Sequence, residues 1–196
     1  MRSCILASAS PRRKEILKNL GVDFEVFVTD IDESSDITIP ERLAEELSAR
    51  KGRAARQALL AEGIDTAGKV LIASDTTVAV EGEILGKPAD DADAKRMLRM
   101  LQGRSHSVVS GIYLNLDGRE AVSHAVTQVE FAPMTDADID YYIQTGEPFG
   151  KAGAYAIQGI ASAWIRGIKG DYFNVVGLPV NRMCELFFEK FQENFL

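Results

Sequence analysis

The chain has 196 residues, 46% hydrophobic and 26% charged, with 22 Lys and Arg against 29 Asp and Glu, a formal net charge of −7. Such a length gives one domain, or two small lobes, whose folding buries about 70% of the unfolded surface, and this composition excludes disordered, collagen-like and coiled-coil classes. An acidic protein repels a polyphosphate backbone on average, so long nucleic acids are not expected partners and any phosphate binding must come from a local basic cluster.

Cys4 and Cys184 lie near opposite ends without C-x-x-C spacing, which fits a reduced, cytoplasmic protein. The apolar run at Ile5-Leu6-Ala7 is too short for a secretion signal and meets Pro11-Arg12-Arg13-Lys14 at once. No stretch approaches 18 uncharged apolar residues, so no membrane partner is expected, and His106 and His124 are too few for a His-rich metal site.

In chain order, Ser3 to Ala7 predicts a short buried strand. Pro11 to Leu20 predicts a helix with Ile16, Leu17 and Leu20 on one face and Gly21 as its stop. Residues 22 to 28 alternate as a second strand, followed by an acidic loop from Asp30 to Asp36. Pro40 opens a long helix to about Glu62, stopped by Gly63, with a basic polar face around Lys51. Lys69 to Ser74 is an apolar strand delivering Asp75 at or near its exit, and Thr77 to Val80 lead through the Glu81-Gly82-Glu83 turn to Ile84-Leu85. Asp90 to Gln102 fits a helix with an acidic first turn. Stretches 106–116 and 121–131 flank Asp117-Gly118, a hairpin signal, and Thr135 caps a helix to Thr145. After a glycine-rich segment, 146–159, come strand-like residues 162–168 and 172–176, then a helix from about Pro179. Interleaved strands, hairpins and helices predict a mixed α/β fold with two lobes around a cleft.

Four constellations bear on chemistry. In Ser8-Ala9-Ser10-Pro11-Arg12-Arg13-Lys14, three cations in a first helical turn oppose the helix dipole, at about 0.3–1 kcal/mol each. Free backbone N–H groups, a serine hydroxyl and two forked guanidinium groups make a phosphate seat; a solvated basic turn beside Glu15 is the other reading. In Ala73-Ser74-Asp75-Thr76-Thr77, a carboxylate at a strand end can hold Mg2+ or orient water. Taken alone, a turn bonding its own backbone is the stronger reading. Asp30, Asp32 and Glu33 offer a second carboxylate, and spacing does not choose among them.

Lys87 and Lys151 sit on turns where each can neutralise phosphate charge, but Gly146 to Ala152 lacks the spacing and the Ser/Thr of a P-loop. No G-x-G-x-x-G after a strand, G-x-S-x-G or H-E-x-x-H is present, which removes the main support for dehydrogenase, serine hydrolase and zinc protease readings. In Lys151 to Gly159, small residues surround Tyr155 and Gln158. The Gln158 amide, donor and acceptor together, can read a base edge such as that of uracil or thymine; a tight loop packed on Tyr155 is the alternative.

The motifs at 8–17, 73–77, 84–88, 151–159 and 174–179, in this order and spacing, resemble the Maf family of nucleoside triphosphate pyrophosphatases. The resemblance implies one Maf-like domain over 1–196: an elongated mixed β-sheet with flanking helices and two lobes around a central cleft, similar to inosine triphosphate pyrophosphatases. It implies hydrolysis of a nucleoside triphosphate to the monophosphate and pyrophosphate, with a divalent cation, Mg2+ or Mn2+. Carried over by position, Asp75 is the proton acceptor, Arg12 and Arg13 bind phosphates, Lys51 and Lys87 complete a cationic wall, and Glu33 joins Asp75 at the metal. The combination of Arg12, Thr76 and Gln158 resembles the branch acting on dTTP and UTP rather than the one associated with methylated guanine nucleotides. A homodimer is implied as well. The alternatives are a purine preference of the inosine triphosphate pyrophosphatase kind, and a nucleotide-binding regulator of septum formation with little turnover.

Overall fold

The computed structural model describes residues 3–196. Its core is a seven-stranded mixed sheet. β1 (Ser3–Leu6) pairs in parallel with β2 (Asp23–Val26) and with β3 (Val70–Val80). The remaining ladders are antiparallel: β3 with β4 (Glu83–Leu85) and β5 (Ser105–Leu116), β5 with β6 (Arg119–Phe131), and β6 with β7 (Ile165–Lys169). The strand order is β2-β1-β3-β5-β6-β7, with β4 added beside β3. Flanking it are α1 (Pro11–Asn19), α2 (Pro40–Ala61), α3 (Asp91–Leu101), α4 (Asp136–Gln144), α5 (Tyr172–Val176) and α6 (Val180–Phe191).

The apolar residues of the long strands change partners along the way. Alternate residues of a strand face opposite sides of the sheet. Val70 and Ile72 accordingly pack with Leu6, Leu17 and Phe187, while Leu71 and Ala73 pack on the other face with Ile5, Leu59 and Tyr113. Further along the same strand, Val78 and Val80 enter a separate core with Leu98, Leu101, Phe131 and Tyr142. Between these apolar runs lies the polar step Ser74-Asp75-Thr76-Thr77, paired with Ile112, Gly111, Ser110 and Val109 of β5. The break between two cores thus falls at Asp75.

Helix α2 is placed by small residues. Pro40 stands at its first position, and the buried Ala44, Leu47, Ser48, Gly52, Ala55 and Leu59 recur every three or four residues on one face. A Cβ on Gly111 would lie 2.0 Å from the Ala44 carbonyl oxygen, and one on Gly52 would lie 2.0 Å from the Tyr113 ring. The helix backbone therefore rests directly on β5, which only glycine permits. Lys51, next to Gly52, is carried to the strand position paired with Gly111, where Asp75 stands.

Most predicted elements are present. Asp90 caps α3 by accepting from the Asp93 N–H at 2.8 Å, and Thr135 and Asp138 form a capping box at α4. Asp117 and Gly118 both have positive φ, 49° and 86°, as a two-residue hairpin turn requires. Four expectations are corrected. Asp75 lies in the middle of an eleven-residue strand rather than at its exit, because the Ser110 and Gly111 ladder carries β3 onward. Residues 172–176 form α5 and not a strand: Asp171 caps the Phe173 N–H at 2.7 Å, and Gly177, at φ 124°, ends the turn. Residues 160–164 are a 3-10 helix, so the strand expected at 162–168 is confined to Ile165–Lys169. The second strand spans Asp23–Val26 only, since β1, its one neighbour in the sheet, is itself four residues long.

Candidate active site

A cavity of about 760 Å³ opens where the two cores part, and every predicted site residue lines it: Arg12, Arg13, Glu33, Lys51, Asp75, Thr76, Lys87 and Gln158. Five cations, counting Lys151, face four carboxylates there, in a chain whose net charge is −7. Positive charge is thus concentrated locally, as the acidic composition demands of any phosphate site.

The floor is the start of α1. Ser10 occupies the N-cap position, but its side chain makes no cap hydrogen bond, and the first turn contains no acidic residue. The first turn thus offers its initial N–H groups and three cations with no acidic residue of its own. The two arginines differ in kind. Arg13 is stapled into the fold: Nε donates to the Gly177 carbonyl at 2.7 Å, Nη1 to Ser8 Oγ at 3.0 Å and Nη2 to Thr76 Oγ1 at 3.1 Å. Burial lowers its pKa, which the nearby Asp75 charge opposes. Its other two N–H groups make no bond to the described residues. Arg12, by contrast, has a buried Nε with no hydrogen-bond partner, and burial pushes its pKa down as well. A half-buried guanidinium held without a partner is costly unless a ligand supplies the acceptor.

The opposite wall carries the carboxylates. The Lys51 ammonium donates to Asp75 Oδ1 and lies 2.7 Å from Glu33 Oε1, while Lys87 Nζ lies 3.4 Å from Glu33 Oε2. Burial works against the Glu33 carboxylate, but bonds and charge from Lys51 and Lys87 outweigh it and hold its pKa below the usual value. Among the three acidic candidates of the loop, Glu33 alone meets these lysines; Asp32 instead binds Ser34, at 2.8 Å to N and 2.7 Å to Oγ, and Asp30 only lines the cavity.

Thr76 is committed inward. Ser110 Oγ gives its single proton to the Asn174 carbonyl at 2.9 Å, so Thr76 Oγ1, 2.8 Å away, must donate to Ser110 while accepting from Arg13. The chain Arg13 to Thr76 to Ser110 to Asn174 has a fixed direction. Asn174 completes it through bonds of 2.9 Å to Ser110 N, Val108 O and Thr127 Oγ1. Sequence reasoning missed Ser110 and Asn174, whose contacts join residues 64 apart and leave no local pattern. Gln158 is exposed in the cavity and forms no hydrogen bond with the described residues. Lys151, read from the sequence as a turn lysine able to neutralise phosphate charge, also lines the cavity; burial and the Arg12 charge lower its pKa.

The donor set suits a hard cation. Lys51 already places a positive charge between two carboxylate oxygens, Asp75 Oδ1 and Glu33 Oε1. Among the described residues, no group of three or more His, Cys, Asp or Glu side chains gathers as a self-sufficient metal site. Two carboxylates open to a cavity match the way Mg2+ is held in part by protein and in part by phosphates and water.

Residues 3–190 match the family described as Maf-like protein, and the chain belongs to that family. It is 46% identical over 187 residues to the dTTP/UTP pyrophosphatase of Symbiobacterium thermophilum, covering 95% of this chain and 93% of that protein. It is 48% identical over 189 residues to the dTTP/UTP pyrophosphatase of Desulforamulus reducens, covering 94% and 95%. The protein of the same name from Thermococcus onnurineus is 42% identical over 182 residues, with 93% and 95% covered. Among solved structures, the Ham1 protein of Staphylococcus aureus aligns with TM-score 0.47 and 22% identity over 67% of this chain and 72% of that one. Among the described residues no helix is long and apolar enough to cross a membrane.

Proposed function

We propose that this protein is a nucleoside triphosphate pyrophosphatase that hydrolyses dTTP and UTP to the monophosphate and pyrophosphate with the aid of a divalent cation. The observation that carries the reading is Arg12: a guanidinium that lines the cavity with no hydrogen-bond partner among the described residues, facing a wall of paired carboxylates and ammonium groups. A triphosphate supplies the missing acceptor and the negative charge that α1 lacks. The names of the Maf relatives, at 42–48% identity over nearly the whole chain, support the same reaction and the same bases.

In this reading Arg12, the α1 N-terminus, Lys87 and Lys151 hold the phosphates, and Arg13 keeps the floor rigid through Thr76 and Gly177. Water attacks the α-phosphorus from the Asp75 side; Asp75 accepts its proton, the bond from the α-phosphorus to the bridging oxygen breaks, and pyrophosphate leaves with the bond's electron pair. Positioning and charge stabilisation account for most of the rate. Mg2+ or Mn2+, held by Asp75 and Glu33, would polarise phosphate oxygens and favour the ionised form of the attacking water. Lys51 fixes both carboxylates before substrate arrives. The Gln158 amide has its donor and acceptor unused, which suits the adjacent N–H and carbonyl of uracil or thymine.

Such an enzyme acts on the nucleotide pool and belongs in the cytoplasm, and the family resemblance favours a homodimer, which light scattering of the purified protein tests. The reaction is tested with a panel of dTTP, UTP, CTP, GTP, ATP, ITP and 7-methyl-GTP with Mg2+ or Mn2+. Pyrophosphate released fastest from dTTP and UTP is the expected result. Orthophosphate release alone, a preference for ITP, or tight binding without turnover overturns it.

A further inference from the structure

Glu147, which follows α4, is the most heavily bonded carboxylate outside the proposed chemistry. Oε1 accepts from the Tyr142 hydroxyl at 2.8 Å and from the Ala161 N–H at 3.3 Å, and Oε2 accepts from the Ile160 N–H at 2.8 Å. Tyr142 is fully buried, and the Gly159 N–H donates to the Ala156 carbonyl at 3.1 Å in a turn that spans Gln158. The carboxylate therefore ties the chain at 160 and 161, directly after the turn that carries Gln158. Gly159 closes the arrangement, because a Cβ there would lie 2.3 Å from either Glu147 oxygen. Gln158 itself has no side-chain restraint from the described residues, so its location depends on this backbone alone.

We propose that Glu147 is the positioning residue of the base-reading loop: its carboxylate fixes where the Gln158 amide stands and so sets discrimination between uracil and cytosine. The inference rests on the proposed role of Gln158 in base recognition. Glu147 lines the same cavity, but the bonds its two oxygens make are to the loop and to Tyr142, so its role is to hold the loop. Its action follows from geometry. Two adjacent N–H groups at the start of a 3-10 helix need an acceptor on one side, and the carboxylate provides it from an α4 anchored by Tyr142. Glu147→Gln preserves the shape but turns one acceptor into a donor, which faces either a backbone N–H or the Tyr142 hydroxyl. Uracil and cytosine differ at the edge an amide reads, one offering N–H beside carbonyl and the other reversing these, so a displaced Gln158 stops distinguishing them.

The test measures kcat/KM for UTP and CTP in the parent, Glu147→Gln, Glu147→Asp, Gln158→Ala and the Glu147→Gln/Gln158→Ala double variant. Amide exchange at Ile160 and Ala161 provides a readout independent of activity. Gln158→Ala is expected to lower the UTP-to-CTP ratio about tenfold or more, Glu147→Gln to lower it comparably, the double variant to fall no further, and Glu147→Asp to recover part of it. Both amides should exchange faster in Glu147→Gln. A parental ratio in Glu147→Gln, or a double variant in which the two losses multiply, overturns the positioning role while leaving base reading by Gln158 intact. A parental ratio in Gln158→Ala overturns base reading and this inference together. Should Glu147→Gln fail to fold, Gly159→Ala, whose methyl displaces the carboxylate, is measured in the same way, and a parental ratio there overturns the inference.

Discussion

Lys51 donates a hydrogen bond to Asp75 from one turn of α2 to the middle of β3, with 17% and 13% of the two side chains exposed. So little exposure means that water screens the pair only in part, and loss of the ammonium leaves Asp75 without its hydrogen-bonded cation and Glu33 with Lys87 alone. Lys51→Met is expected to lower kcat/KM about 100-fold or more and stability by about 1–3 kcal/mol. Steady-state kinetics and urea unfolding check both; parental values in both contradict the role given to Lys51.

Arg12 and Arg13 are adjacent, yet their removal should have opposite effects on stability. Arg13→Ala removes bonds to Ser8, Thr76 and Gly177 and is expected to destabilise by about 2–4 kcal/mol. Arg12→Ala removes a partly desolvated cation that has no hydrogen-bond partner, and should be neutral or stabilising by up to about 1 kcal/mol. Both should lose activity. Urea unfolding distinguishes the two, and equal destabilisation by both contradicts the assignment of Arg12 as the arginine held open for ligand.

Gly52→Ala tests how Lys51 is placed. A Cβ at that position overlaps the Tyr113 ring at 2.0 Å, so α2 must lift from β5 and carry Lys51 away from Asp75. A loss of about 1–3 kcal/mol is expected, together with a fall in kcat. A folded variant with parental stability and rate refutes the close-approach argument.

The pH dependence of stability should bear the mark of His106. Its Nε2 meets the Tyr155 hydroxyl at 2.8 Å, Nδ1 is buried without a partner, and burial lowers its pKa from 6.5 to about 4. The unfolded chain therefore takes up the proton first. The stability tied to the neutral ring is fully present above about pH 6.5 and is lost as pH falls to about 4, amounting to about 3 kcal/mol. Urea unfolding at pH 7 and pH 4.5 measures it. His106→Gln, which keeps a polar partner for Tyr155, should show a flatter profile; an unchanged slope contradicts the assignment.

These residues also mark what the sequence could and could not reveal. Helices α2 and α3 and the Asp117-Gly118 hairpin were legible because caps, glycine stops and apolar spacing are local properties. Residues 172–176 were not, since an aromatic and β-branched run reads as a strand until Asp171 caps it and Asn174 is drawn to Ser110. The charges of the site were legible at α1 and at Asp75. Which loop acid joins them was not legible from spacing, because Glu33 is selected by Lys51 and Lys87, each from a distant part of the chain. Thr76 stood out by motif, yet its hydroxyl serves Arg13 and Ser110, a commitment made by sheet pairing.

Asp75, held by Lys51, faces the cationic start of α1 across one cavity, and in the proposed reaction it takes the proton of the attacking water. Pyrophosphate release from UTP by Asp75→Asn, set beside the parent at equal folded concentration and saturating Mg2+, tests it most directly. A loss of about 1,000-fold or more in kcat with nucleotide binding retained is expected. Turnover within a few-fold of the parent contradicts it.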